Sequence, residues 1–135
     1  MSDDDAKRAR GGCLCGAVRF AVAGALRPVT FCHCSQCRKQ TGLYYAATAA
    51  PRDAVSVTGE DAITWFAASD HAERGFCSTC GSALFWREID GERLSILAGS
   101  FDRQTELRAD KHIFVADKPN WYELADALPK RERDG

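Results

Sequence analysis

Short runs in which apolar and polar residues alternate recur along the chain. In the first of them, Val18, Phe20 and Val22 alternate with Ala17, Arg19 and Ala21, which is the two-residue period of a strand with one buried face. Similar strand signals follow at 55–58, 63–66, 83–86 and 94–97. The pattern therefore predicts a mainly β fold of twisted antiparallel sheets.

Two connections carry local signals. Asp90-Gly91 lies between the last two predicted strands, and such a pair favours the positive backbone angles of a tight hairpin turn. These two strands are therefore expected to pair antiparallel. The helix that bears on the chemistry is predicted from Ser35 to Thr41, because Gly42 is placed to end it.

Length and charged ends indicate one domain. The 135 residues suffice for one compact core and are too few for two ordinary domains. Residues 1–10 and 129–135 are charged and lack apolar periodicity. We therefore predict two flexible tails around a single domain at 11–128.

Composition and charge narrow the classes of function. Hydrophobic residues make up 45% of the chain and charged residues 27%, which is the balance of a folded protein. No apolar stretch approaches the roughly 18 residues of a membrane span, and the charged start lacks the apolar region of a signal peptide. A cytoplasmic protein without a membrane partner is expected. The formal charge of −1 and the lack of a basic block give no support to a nucleic-acid partner.

Seven cysteines are many for this length, and their odd number argues against a complete disulfide framework. Zinc is commonly held in a tetrahedron of thiolates that arrive in close pairs. Cys77 and Cys80 form such a pair on a turn that Gly81 can complete in the left-handed conformation. Cys13 and Cys15 share one face of an extended segment. The two pairs would complete one structural site that clips distant segments of a zinc-binding domain together.

Three further thiols, Cys32, Cys34 and Cys37, lie within six residues. A zinc ion with three thiolates is one ligand short. Either His33 or a residue from elsewhere fills the fourth position and the site is structural, or the position stays open for water or a substrate thiol. Alternation points His33 away from the face that the cysteines share, so it is expected to be a neighbour and not a ligand. Thiolates suit iron as well as zinc, which leaves the metal open.

An open position would make the second site reactive. A metal-bound thiol loses its proton, so a thiol with an ordinary pKa of about 8.5 would become a nucleophile at neutral pH. This chemistry favours reactions at carbon–sulfur bonds. Arg38 and Lys39 follow the third cysteine directly, and their charge could attract the carboxylates of a peptide-like thiol. The alternative for this pair is a solvated basic turn.

The cysteine motifs resemble those of the glutathione-dependent formaldehyde-activating enzyme family, also called the centromere protein V family. The matching segments are 12–16, 32–39, 76–81 and 112–115, with Lys118-Pro119 and Trp121. The resemblance implies that the first and third cysteine pairs hold a structural zinc and that the three-cysteine group holds a second zinc to which glutathione is brought. It also implies zinc-clipped β-sheets related to those of methionine-R-sulfoxide reductases. The reaction it implies joins glutathione and formaldehyde into S-hydroxymethylglutathione.

Competing functions follow from the cysteine spacing together with this resemblance, which implies the thiol and the aldehyde. The first is a zinc-dependent carbon–sulfur lyase, which adds a small glutathione-like thiol to an aldehyde-like electrophile, or releases it, at the open site. The second is a zinc-stabilised protein-binding module in which both metals are structural. A redox enzyme of the sulfoxide-reductase type needs an uncommitted thiol, and none remains if all seven cysteines are ligands. His112 receives no role, because a lone histidine is more often structural, and His71 is expected on an exposed turn.

Overall fold

The computed structural model describes residues 9–103 and 105–134. This part of the chain forms ten strands, one α-helix and several 3-10 turns, so the fold is mainly β, as predicted. The strands are β1 (Ala9–Gly12), β2 (Arg19–Val22), β3 (Val29–Cys32), β4 (Tyr45–Pro51), β5 (Val55–Thr58), β6 (Ile63–Phe66), β7 (Ala72–Cys77), β8 (Ala83–Glu88), β9 (Arg93–Leu97) and β10 (Ala109–Ile113). The helix α1 (Ser35–Thr41) lies between β3 and β4. No helix within the described ranges is long and apolar enough to span a membrane.

Two sheets form the architecture. The smaller sheet has the order β1-β2-β5 and is antiparallel. The larger sheet has the order β10-β3-β4-β9-β8-β7-β6, and its pairings are antiparallel except that β10 runs parallel to β3. The expectation of purely antiparallel sheets is therefore corrected to one antiparallel and one mixed sheet.

The main core joins the two sheets. Phe20 of β2 packs edge-on against Phe85 of β8, with ring centroids 5.7 Å apart, and against Phe101 at 5.3 Å. Burying each such side chain stabilises the fold by about 2 kcal/mol. Cys13 and Cys77 belong to the same buried cluster. The group of Cys13, Cys15, Cys77 and Cys80 is therefore anchored in the core through two of its members.

Local turns agree with most of the sequence signals. The helix α1 has the predicted bounds and ends at Gly42, which has a φ of 88°, and Gly81 has a φ of 81° after the second Cys-x-x-Cys thiol. Strands β8 and β9 pair antiparallel, as predicted. Their loop is longer than a two-residue turn, and Gly91, whose N–H donates to the Glu88 carbonyl at 3.1 Å, is not among the positive-φ residues. The tight-turn geometry predicted for Asp90-Gly91 is therefore wrong.

The C-terminal segment lies against the sheet. The His112 N–H donates to the Pro129 carbonyl at 2.9 Å, and the Arg131 N–H donates to the His112 carbonyl at 2.9 Å. This segment runs parallel to β10 at the bridge between His112 and Lys130, where β10 would otherwise expose an unpaired edge. Residues 129–134 are thus hydrogen-bonded to the domain, in contrast to the expected free tail. Of the predicted N-terminal tail, residues 1–8 lie outside the described residues, and the last two belong to β1.

Candidate metal centres and active site

Four thiols from two distant loops converge at what we call the clip site, formed by Cys13, Cys15, Cys77 and Cys80. Their sulfur atoms all lie within 4.8 Å of one another. The Cys15 Sγ atom is 3.6 Å from Cys13 Sγ and 3.7 Å from Cys77 Sγ. Four sulfurs at about 2.3 Å from a tetrahedral zinc ion would be about 3.8 Å apart. The donor set therefore fits such an ion.

Hydrogen-bond donors surround the sulfurs of the clip site. The Val18 N–H donates to Cys13 Sγ at 3.3 Å, and the Cys80 N–H donates to Cys77 Sγ at 3.5 Å. The Ser82 hydroxyl lies 3.2 Å from Cys80 Sγ, and its hydrogen bond lowers the pKa of Cys80 to about 5. Donors to sulfur favour the thiolate form that a metal requires.

The other group, which we call the three-cysteine site, lies where β3 meets α1. Cys32 ends β3, Cys34 is the N-cap of α1, and Cys37 is buried in the first turn of the helix. Their sulfur atoms lie within 4.8 Å of one another. The Cys34 Sγ atom accepts the Cys37 N–H at 3.3 Å. A strand end and one helical turn thus bring the three thiols together.

Three thiols so close resist full ionisation unless a cation is present. Contacts with Cys32 and Cys37 lower the pKa of Cys34, and contacts with Cys34 and Cys37 raise the pKa of Cys32. One negative charge is therefore favoured over three, because like charges repel. A divalent cation removes that repulsion and ionises its thiol ligands. The donor set fits zinc, with the fourth position of a tetrahedron left over.

A buried guanidinium faces the three-cysteine site. Arg74 of β7 is 5% exposed and donates from Nη2 to Cys37 Sγ at 3.4 Å. Its Nη1 donates to the Gln40 side chain of α1 at 2.9 Å, and the group lies 5.4 Å from the centroid of the Tyr45 ring. None of the ion pairs within the described ranges includes Arg74. The sequence analysis missed this residue, because only the folded sheet brings it beside α1.

A cavity of about 500 Å³ adjoins the three-cysteine site. Its lining includes Cys32, Cys34, Cys37, Arg27, Arg74 and Tyr45. Arg38 and Lys39 are not among the lining residues. Lys39 instead borders a separate hollow of about 520 Å³ that Phe66 also lines. His71 is exposed, as predicted, and borders the cavity.

His33 belongs to a chain of hydrogen bonds behind the three-cysteine site. Its Nε2 atom lies 2.8 Å from His112 Nδ1, and His112 Nε2 lies 2.8 Å from the Asp126 carboxylate. The Tyr122 hydroxyl lies 3.1 Å from His33 Nδ1. Burial lowers the pKa of His33 to about 4, so the ring is neutral at pH 7. With both ring nitrogens engaged, His33 has none free for a metal.

Known proteins are similar to this chain in sequence and in fold. A model of the family described as glutathione-dependent formaldehyde-activating enzyme matches residues 8–117. A Halomonas elongata protein that carries the same family name is 33% identical over 138 residues, which cover 92% of this chain and 83% of that protein. An uncharacterized lyase of Schizosaccharomyces pombe is 28% identical over 120 residues, with coverage of 86% and 85%. The crystal structure of a Rhodobacter sphaeroides protein matches with a TM-score of 0.58 and 25% identity, over 72% of this chain and 91% of that chain.

Proposed function

Because the chain belongs to the glutathione-dependent formaldehyde-activating enzyme family, we propose that it is a zinc-dependent carbon–sulfur lyase that joins a glutathione-like thiol to a small aldehyde such as formaldehyde. The observation that carries the proposal is the three-cysteine site beside a cavity of about 500 Å³. A purely structural site would need a fourth protein ligand. The neighbouring His33 does not offer one, since both its ring nitrogens are hydrogen-bonded.

The two cysteine groups have different parts in this proposal. The clip site would hold a structural zinc ion, and Cys32, Cys34 and Cys37 would hold the reactive one. When bound there, zinc supplies a Lewis acid that lowers the pKa of an incoming thiol. The clip site takes two of its four ligands, Cys13 and Cys77, from the buried core.

Neighbouring residues prepare the three-cysteine site for an additional negative charge. Arg74 donates to Cys37 Sγ at 3.4 Å and offsets part of the charge of the protein thiolates and of a substrate thiolate. The Cys37 N–H fixes Cys34 Sγ at 3.3 Å. These hydrogen bonds hold the sulfurs in one arrangement beside the cavity, so the site is preorganised for an incoming thiol.

The proposed reaction forms one carbon–sulfur bond. The thiol gives up its proton, its sulfur attacks the carbonyl carbon of the aldehyde, and the carbonyl oxygen takes up a proton to become a hydroxyl group. All atoms of the thiol and the aldehyde are kept in the product, so neither an oxidant nor a reductant is required. The cavity of about 500 Å³ lies within the size range of small-molecule sites, which is about 300–1,000 Å³.

Exchange NMR with ¹³C-labelled formaldehyde and glutathione tests the proposal. Aldehydes and thiols also combine without a catalyst, so the readout is the rate at which free and bound formaldehyde interconvert. The zinc-loaded protein is expected to accelerate this exchange. Cys34→Ala is expected to lose the acceleration while it keeps one metal ion and its circular dichroism spectrum. A metal-loaded wild-type protein that leaves the exchange rate unchanged would favour the protein-binding module instead.

A further inference from the structure

Arg27 is a charged residue of the cavity beside the three-cysteine site, and it forms no ion pair among the residues that the structure describes. It precedes β3, is half-buried and lines the same cavity as the three cysteines. Its Nη1 donates to the Thr30 hydroxyl, and its Nη2 donates to the Ala47 carbonyl at 3.3 Å. None of the ion pairs found in the described part of the chain includes it. Both of these hydrogen bonds hold the guanidinium through neutral oxygens.

No ion pair within the described ranges neutralises the charge of Arg27. Burial lowers its pKa, while Asp110 acts on it favourably from outside ion-pair distance and Arg93 acts against it. The acidic cavity residues Glu88 and Asp134 are exposed, and neither pairs with it. A partly desolvated cation is costly unless an anion accompanies it. The cavity is thus prepared for a negatively charged group.

Strand register sets the separation between Arg27 and the cysteines. Strands β3 and β4 pair so that Thr30 lies opposite Ala47 and Cys32 lies opposite Tyr45. Arg27 is hydrogen-bonded to both members of the first pair. Residues two positions apart on a strand share a face and lie about 7 Å apart. The guanidinium is therefore held beside the Thr30–Ala47 pair, about 7 Å along the strand from Cys32.

We propose that Arg27 binds a carboxylate of the thiol substrate and thereby makes the site selective for acidic thiols. In glutathione, a peptide unit separates the sulfur from the nearer carboxylate, which suits a separation of this size. The guanidinium has five N–H donors, and Thr30 and Ala47 occupy two of its nitrogens. The remaining donors bind a carboxylate. This inference rests on the proposed function and adds the feature of the thiol that the site selects.

The test compares an acidic thiol with a neutral one. Binding of glutathione and of 2-mercaptoethanol to the zinc-loaded protein is measured by isothermal titration calorimetry. Arg27→Gln is expected to weaken glutathione binding about tenfold or more, as befits the loss of a charge-assisted pair, while binding of 2-mercaptoethanol changes by less than about twofold because no carboxylate is lost. Arg27→Lys keeps the positive charge but not the planar guanidinium, and its glutathione affinity is expected to lie between those of wild type and Arg27→Gln. Arg103→Gln, at an exposed arginine outside the cavity, is the matched control.

Each other outcome overturns the inference in a recognisable way. Equal glutathione affinity in Arg27→Gln and wild type would remove the role of Arg27 and leave the proposed function standing. Equal losses for both thiols would mean that Arg27 supports the pairing of β3 with β4 and does not bind the carboxylate. A loss confined to an Arg38→Gln/Lys39→Gln double variant would return the carboxylate site to α1. A wild-type protein that binds neither thiol would remove the proposed function and this inference with it.

Discussion

Cys77→Ser is expected to destabilise the protein much more than Cys34→Ala, although each variant removes one thiol. A metal ion bound at the clip site would cross-link Cys15 and Cys77, which are 62 residues apart, whereas the three-cysteine site spans one short segment. By the loop-closure relation for covalent cross-links, a loop of about 60 residues is worth about 4 kcal/mol and a loop of about 6 residues about 2 kcal/mol. Metal bound at either site would contribute its binding free energy to folding.

This difference in stability predicts different melting temperatures, which differential scanning calorimetry measures. Unfolding entropy is about 2.1 cal/mol/K per residue, or about 0.28 kcal/mol/K for the 135 residues. Cys77→Ser should therefore lower the melting temperature by about 14 °C, and Cys34→Ala by about 7 °C. Metal analysis of each sample should find that both variants have lost one ion. Equal melting temperatures for the two variants, or a Cys77→Ser protein that melts like wild type, would refute the assignment of stability to the clip site.

Three further predictions concern lability and local packing. A chelator is expected to remove one metal equivalent rapidly, with little change in circular dichroism, and the second only as the domain melts; a single slow phase would mean that the three-cysteine site is closed. His112→Ala is expected to lower the free energy of unfolding in urea by about 2 kcal/mol, since one buried hydrogen bond to His33 and one partly buried bond to the exposed Asp126 carboxylate lose a partner; an unchanged midpoint would contradict this. Gly59→Ala should lower the stability more than Gly24→Ala. Both glycines have a positive φ, but of the two only at Gly59 would a Cβ meet another atom, the Ala17 carbonyl oxygen at 1.9 Å. Equal losses of stability in thermal melts would mean that only the cost of placing alanine at a positive φ is measured at either position.

Most of the strands that could be predicted have an alternating pattern. Strands β2, β5, β6 and β9 carry large apolar residues at every second position, and that period is imposed by a single buried face. Strand β8 was predicted from its apolar run, in which the adjacent Leu84 and Phe85 are both fully buried. Strand β4 was missed although it lies inside the larger sheet, because its buried positions after Tyr45 are alanine and threonine, and alanine has a weak preference for strands. Strands β1, β3, β7 and β10 also escaped prediction. In β7 and β10, buried positions are occupied by Arg74 and His112, and these polar residues interrupt the apolar pattern that predicts a strand.

The candidate metal ligands could be recognised in the sequence, whereas the candidate substrate contacts could not. Ligand pairs need close spacing along the chain, so both cysteine groups could be read from the sequence. Arg27 and Arg74 reach the cavity only through sheet pairing, which spacing does not encode. Arg38 and Lys39 are adjacent to Cys37 in sequence, but residues one and two positions apart on a helix do not face the same side. Gln40, three positions on, shares that side and contacts Arg74.

The segment Cys32-His33-Cys34 explains how one short stretch can be both firmly held and open. Alternation sends the two thiols to one face and the histidine to the other. On the histidine face, the ring is bonded to His112 and Tyr122, and the His33 N–H donates to the β10 backbone at 3.0 Å. On the thiol face lies the cavity. Because these contacts of His33 lie behind the sulfurs, a thiol could enter or leave in front of the sulfurs without breaking any of them, whereas at the clip site Cys77 is itself fully buried in the core.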